Sequence, residues 1–130
     1  MTYLLHIYIK NSRCIRIGKF GKYYFKQGNY IYVGSAKKNL LKRIERHRRK
    51  RKKKFWHIDY LLQYASLKKV WIGNLSEEKV ADICTKIMEV PVLGFGSSDK
   101  KSTSHLFFSK KVKDFSEYAF CSLTDLKKRL

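Results

Sequence analysis

Two periodicities follow one another along this chain, and their order restricts the fold it can adopt. Residues 3 to 9, 14 to 17, 23 to 25 and 30 to 34 are short runs rich in β-branched and aromatic side chains, separated by Lys10-Asn11-Ser12, Gly18, Gly21 and Gln27-Gly28-Asn29. That is the composition of strands and tight turns. From Asn39 onward the period changes, with Leu40, Leu41 and Ile44 recurring as one face of a helix does. Asn39 is the expected N-cap. The first 34 residues therefore predict an antiparallel meander, opened by a hairpin of 3 to 9 with 14 to 17, and a helix follows over 39 to 51.

Phe55 to Tyr64 predicts a short second helix through Ile58, Leu61 and Leu62, and Val70-Trp71-Ile72 a buried strand ending at Gly73. Ser76 opens a third helix over 76 to 88, with Val80, Ile83, Cys84 and Ile87 at helical spacing and Pro91 just beyond its end. Along it Glu77, Ala81, Cys84 and Met88 form an inward stripe, and Glu78, Asp82, Thr85 and Glu89 an outward one. Gly94 to Asp99 is a loop, Ser104 to Phe108 a further strand, and 123 to 130 a terminal helix. These elements predict one α/β domain of the α+β kind, spanning all 130 residues. Its core is a small, mainly antiparallel sheet of three to five strands, built from the meander and the strand at 69 to 73 and flanked by helices.

Charge decides the partner class. Lys and Arg number 30 against 10 Asp and Glu, for a formal charge of +20, and a field of that size gathers polyanions, nucleic acid first. A 44% hydrophobic content excludes a disordered basic tail. Between residues 46 and 54, eight of nine side chains are Lys or Arg, so mutual repulsion predicts a frayed helix end or an exposed loop. Arg46, Arg48, Arg49, Lys50, Arg51, Lys52, Lys53 and Lys54, with Lys37 and Lys38, are the candidate phosphate contacts. Such contacts carry no base-sequence information.

Other classes lack their signatures. No basic amphipathic helix with a bulky apolar face and no lipidation signal points to a membrane, and the apolar start Met1 to Ile7 has no preceding basic region. Cys14, Cys84 and Cys121 are widely spaced without a Cys-x-x-Cys pair, which predicts reduced thiols in a cytoplasmic setting and no cysteine zinc site. His6, His57 and His105 have no helix-spaced ligand partner and are expected to be structural. Gly94-Phe95-Gly96 lacks the Lys-Ser/Thr of a phosphate-binding loop, so no small-molecule cofactor is expected.

Tyr30-Ile31-Tyr32-Val33-Gly34-Ser35-Ala36 resembles, in its Tyr-Val-Gly, the second half of the GIY-YIG nuclease signature. Thr2-Tyr3-Leu4-Leu5 stands where the family has Gly-x-Tyr, keeping the tyrosine and not the glycine. Arg43 and His47, one turn apart, resemble the family's helical Arg and the Tyr or His that follows it, and Glu77 stands where the family's metal-binding Glu opens a later helix. Trp56-His57-Ile58-Asp59-Tyr60-Leu61-Leu62, Gly94-Phe95-Gly96-x-Ser98-Asp99 and Ser104-His105-Leu106-Phe107 are similar to the DUF123 branch of that superfamily. The resemblance spans residues 2 to 108, leaving 109 to 130 as an extension. Two departures stand out: Lys100-Lys101-Ser102 replaces the branch's Cys-x-Cys, and Ser35 replaces a Lys found in several family nucleases, leaving that place to Lys37 or Lys38.

The resemblance implies the same sheet-and-helix core and a metal-dependent DNA endonuclease using one Mg²⁺ or Mn²⁺. Phosphodiester hydrolysis needs a deprotonated water, a cation on the non-bridging oxygens and a metal ion for the developing charge. Tyr3 or Tyr32 is the general base, Arg43 the cation, His47 a proton donor or orienter, and Glu77 the metal ligand. Tyr32 can share a cleft with Tyr3 across a strand pair, and Gly34 is expected to let a phosphate approach the backbone. The plain alternative for each residue is a packed tyrosine, a basic pair and a first-turn glutamate. The alternative for the whole chain is a non-catalytic DNA- or RNA-binding module that keeps the fold.

Overall fold

The chain order, in a computed structural model describing residues 1–97 and 102–125, is strands β1 (Thr2–Ile9), β2 (Arg13–Ile17), β3 (Gly21–Phe25) and β4 (Gly28–Ser35), then helices α1 (Leu40–Arg48) and α2 (His57–Leu62), β5 (Ser66–Gly73), helix α3 (Glu77–Ile87), β6 (Leu106–Ser109) and β7 (Cys121–Ser122). Among the described residues they form a five-stranded antiparallel sheet, ordered β6-β4-β1-β5-β7, and a two-stranded sheet of β2 and β3. This is an α+β fold of the expected kind.

The pairing of the first four strands corrects the simple meander. β2 pairs only with β3, and β1 pairs instead with β4, with Tyr3 opposite Gly34 and Leu5 opposite Tyr32. Burial explains the choice. In β1 every residue from Thr2 to Ile7 is buried, on both faces, so the strand needs cover above and below and takes the centre of the sheet. β2 and β3 alternate, turning Ile15, Ile17 and Phe25 inward and Arg16, Lys22 and Tyr24 to solvent, as a ribbon with one wet face does.

The two faces of the sheet have separate cores. Odd-numbered β1 residues (Tyr3, Leu5, Ile7, Ile9) pack with Ile44 of α1, Ile58 and Leu61 of α2, and the ribbon. Leu4, Ile31, Val33 and Trp71 face the other way, onto Val80, Ala81 and Cys84 of α3 and onto Phe115 and Phe120. The helices expected over 39 to 51 and 76 to 88 thus cover opposite faces. The first stops at Arg48, and Asn39 enters it in a left-handed conformation (φ 56°) without a side-chain capping bond. β7 had no signal in the sequence, and the edge strand β6 begins at Leu106 rather than Ser104. Of the helix expected over 123 to 130, residues 126 to 130 lie outside the described residues, as do Ser98, Asp99, Lys100 and Lys101. No helix among the described residues is long and apolar enough to cross a membrane.

Candidate active site

Gly34 is where the site begins. A Cβ at residue 34 would collide with the Tyr3 ring on the neighbouring strand, so the missing side chain makes room for that ring, and Gly34 also lines the cleft. Lying across Gly34, Tyr3 brings its hydroxyl to 2.8 Å from His47 Nε2 on α1. Tyr32 faces the same side, diagonal to Tyr3 in the ladder, with its ring edge-on to His47 at 6.3 Å. Gly96, at φ 69°, passes beneath it, where a Cβ would come within 3.2 Å of the Tyr32 ring.

Burial sets the protonation of this group. It raises the Tyr3 hydroxyl above the ordinary phenol range, against the opposing pull of the Arg43 charge and its hydrogen bond, and it raises Tyr32 as well. It holds the His47 imidazole down to about 4, helped by the Lys52 ammonium. His47 is therefore neutral at neutral pH, and its Nε2 shares a hydrogen bond with the Tyr3 hydroxyl whose direction follows the tautomer. It is only 2% exposed. His47 thus lies behind Tyr3 and does not form the cleft surface.

Arg43, one turn before His47 on α1, donates from Nη1 to the Ser35 carbonyl at 2.6 Å and lies over the Trp56 ring at 4.8 Å. Arg46 covers the same ring at 4.5 Å. The tryptophan is held by Asp59, a completely buried carboxylate that accepts from Arg46 at 2.9 and 2.8 Å and from the Phe55 and Trp56 amides at 2.8 and 2.9 Å. Burial opposes its ionised form, yet the guanidinium and the two amides outweigh it and keep Asp59 below the usual carboxylate range.

Glu77 arrives from the other face of the sheet. The Ser76 hydroxyl caps α3 by accepting from the Lys79 amide at 3.2 Å, which sets Glu77 in the first turn beside the end of β4. There Glu77 Oε2 accepts from the Ser35 hydroxyl at 3.2 Å, and Oε1 lies 3.2 Å from His105 Nδ1. The same Nδ1 is 3.2 Å from the Val33 carbonyl. Both neighbours are acceptors, so Nδ1 carries the proton and donates to them. The inward and outward stripes of α3 hold: Ala81 and Cys84 are buried, while Glu78, Asp82, Thr85 and Glu89 are exposed.

These side chains surround one cleft of about 360 Å³. Tyr3, Tyr32, Arg43 and Glu77 line it, with His47 bonded behind Tyr3. Sequence reasoning missed Trp56 and His57 on its rim and His105 beneath Glu77. Their only signal was the Trp56-His57 and Ser104-His105 strings of the family resemblance. His57 Nδ1 accepts from the Gly96 amide at 2.9 Å, and burial holds its imidazole below the ordinary range.

The basic run is divided by its contacts. Arg46 is committed to Asp59, Lys50 Nζ donates to the Leu62 and Ala65 carbonyls at the end of α2 (2.6 and 2.5 Å), and Lys52 Nζ donates to the Arg46 and His47 carbonyls at the end of α1 (2.8 and 3.2 Å). These cations satisfy helix C-termini. Arg48, Arg49, Arg51 and Lys53 are exposed, as are Lys37 and Lys38, and Lys54 is half-buried. Arg48 also meets Glu45 at 3.6 Å on the helix surface.

Beyond geometry, residues 2–127 match a known family, described as a domain of unknown function, DUF123. The chain belongs to the DUF123 family. No curated protein and no solved structure matches it. In this DUF123 chain the match runs well past residue 108, so most of the expected extension is part of the family domain. Packing agrees, because β7 extends the sheet beside β5 and Phe115 and Phe120 fill the α3 core.

Proposed function

We propose that this chain is a metal-dependent DNA endonuclease of the GIY-YIG type, hydrolysing phosphodiester bonds at the Tyr3 cleft. The observation that carries the reading is the Tyr3 hydroxyl, 2.8 Å from the Nε2 of His47 in a cleft that also holds Arg43 and Glu77. A buried phenol is a poor base by itself. The Arg43 charge beside it favours the phenolate, which takes a proton from the attacking water while His47 Nε2 holds the phenol oxygen in line. The water oxygen forms the new bond to phosphorus, the bond to the leaving oxygen breaks, and that oxygen takes a proton from solvent. The Arg43 guanidinium stabilises the charge on the non-bridging oxygens. This arrangement favours Tyr3 over Tyr32 as the base.

Among the described residues no three His, Cys, Asp or Glu side chains are grouped to hold a metal ion. The cleft carboxylate, Glu77, fits the sparser mode in which Mg²⁺ or Mn²⁺ takes one or two carboxylates, with waters and substrate phosphate completing the shell. An ion bound there supplies Lewis-acid stabilisation of the phosphorane charge. His105 and Ser35 orient the carboxylate that would hold it.

Incubating labelled duplex, branched and single-stranded DNA with Mg²⁺ or Mn²⁺, and with chelator, tests the reading. Metal-dependent cleavage is expected, and Tyr3→Phe should lower it by roughly 10²- to 10⁴-fold without changing DNA affinity. Binding without cleavage of any substrate would assign the chain to the non-catalytic class instead.

A further inference from the structure

Phe55 is 78% exposed, the most exposed large hydrophobic side chain among the described residues. A lone exposed apolar side chain is ordinary, but the position of this one is not. Its backbone amide is pinned by the buried Asp59 carboxylate at 2.8 Å, and its ring stands edge-on to Trp56 at 5.5 Å. Trp56 is in turn covered by two guanidinium groups. Phe55 is therefore presented to solvent from a rigid support. It also belongs to two concavities at once: the Tyr3 cleft, and a neighbouring depression of about 420 Å³ whose rim carries the exposed Arg49, Arg51 and Lys53. Phe55 thus stands where the cleft and that basic depression meet.

An aromatic face beside a track of cations is how proteins hold unpaired nucleotides, with phosphates on the cations and a base on the ring. Inside a duplex both faces of each base are covered by its neighbours, so a surface phenylalanine has nothing to stack on. We propose that Phe55 is a stacking platform for an unpaired nucleobase, so that the substrate presents single-stranded DNA next to the scissile phosphate; this rests on the nuclease reading of the cleft. The phosphate one step from the stacked base lies on Arg49, Arg51 and Lys53. Free strands, flaps and frayed ends meet this requirement, and continuous duplex does not.

The test is equilibrium binding without divalent metal, by fluorescence anisotropy, of a labelled twelve-nucleotide oligothymidylate and a labelled twelve-base-pair duplex to the full chain. Phe55→Ala is expected to weaken oligothymidylate binding by roughly 5- to 150-fold, the worth of one base–aromatic stack, and duplex binding by less than about twofold. Phe55→Trp should hold or tighten single-strand binding, which a loss of fold would not allow. Equal losses on both probes, or no loss on the single strand, overturn the platform. Failure of the wild-type chain to bind either probe overturns the platform and the nuclease reading together. If the platform result appears and no metal-dependent cleavage is found, the nuclease reading falls, and with it the placement beside a scissile phosphate, while Phe55 stands as the base contact of a non-catalytic single-strand binder.

Discussion

Glu77 and Glu78 have the same chemistry and differ by one helical step of about 100°, which decides what each can reach. Glu77 turns to the cleft and is bonded to Ser35 with its other oxygen against His105, whereas Glu78 is exposed. With the metal reading, Glu77→Gln should lower cleavage by roughly 10²-fold or more and weaken Mg²⁺ or Mn²⁺ binding, while DNA affinity holds. Glu78→Gln should be nearly silent. Equal activity of the two variants, set against an active wild type, removes Glu77 from the site. The stripe that separates them was legible because α3 is amphipathic over three turns. Arg43 and His47 were legible only through the family resemblance, the helical period adding that they lie one turn apart on α1. His105 was not. Its part depends on a strand coming to lie beside β4 from more than seventy residues away, a contact that no local spacing encodes.

At the scale of elements, the sequence distinguishes strands from helices by period, but strand partners only by burial. β1 reads as continuously apolar because both its faces are covered, and that is the sign of a central strand. The alternating β2 carries the opposite sign, so the ribbon could have been separated from the sheet on pattern. Nothing local announced β7, two residues long, or the tie between α1 and α2. That tie is Asp59, which bonds Arg46 of α1 and the two amides leading into α2 while wholly buried. Removing Asp59 takes the acceptor from two backbone amides and from Arg46, whose side chain stays partly in water, so Asp59→Ala should cost about 3 kcal/mol in urea unfolding through the lost charge-assisted bonds. Asp82→Ala, which breaks the exposed pair with Lys86 at 3.3 Å on α3, should cost no more than about 0.5 kcal/mol. Similar losses in both would mean that Asp59 is no more of an anchor than a surface pair.

Across the whole molecule a formal charge of +20 guarantees attraction to a polyanion, but attraction does not say which cations touch phosphate. Salt dependence does, since each phosphate neutralised at the contact contributes a slope of about −0.9 in log K against log[salt] on duplex DNA. The fold divides the run accordingly. Lys50, itself exposed, and Lys52, which also lines the depression beside Phe55, have their ammonium groups on the carbonyls that end α2 and α1, whereas Arg49, Arg51 and Lys53 are exposed around that depression. Replacing Arg49, Arg51 and Lys53 together by Ala should flatten the slope by up to about three units and leave thermal stability nearly unchanged. Replacing Lys50 and Lys52 should do the reverse. The freed carbonyls destabilise the helix ends by about 1 kcal/mol each, while the slope changes little, because these two charges are held inside the protein's own hydrogen bonds. The two variants remove three charges and two, so a model of undirected electrostatic attraction predicts slope changes in about that ratio, and that result would mean that no particular part of the run makes the contact.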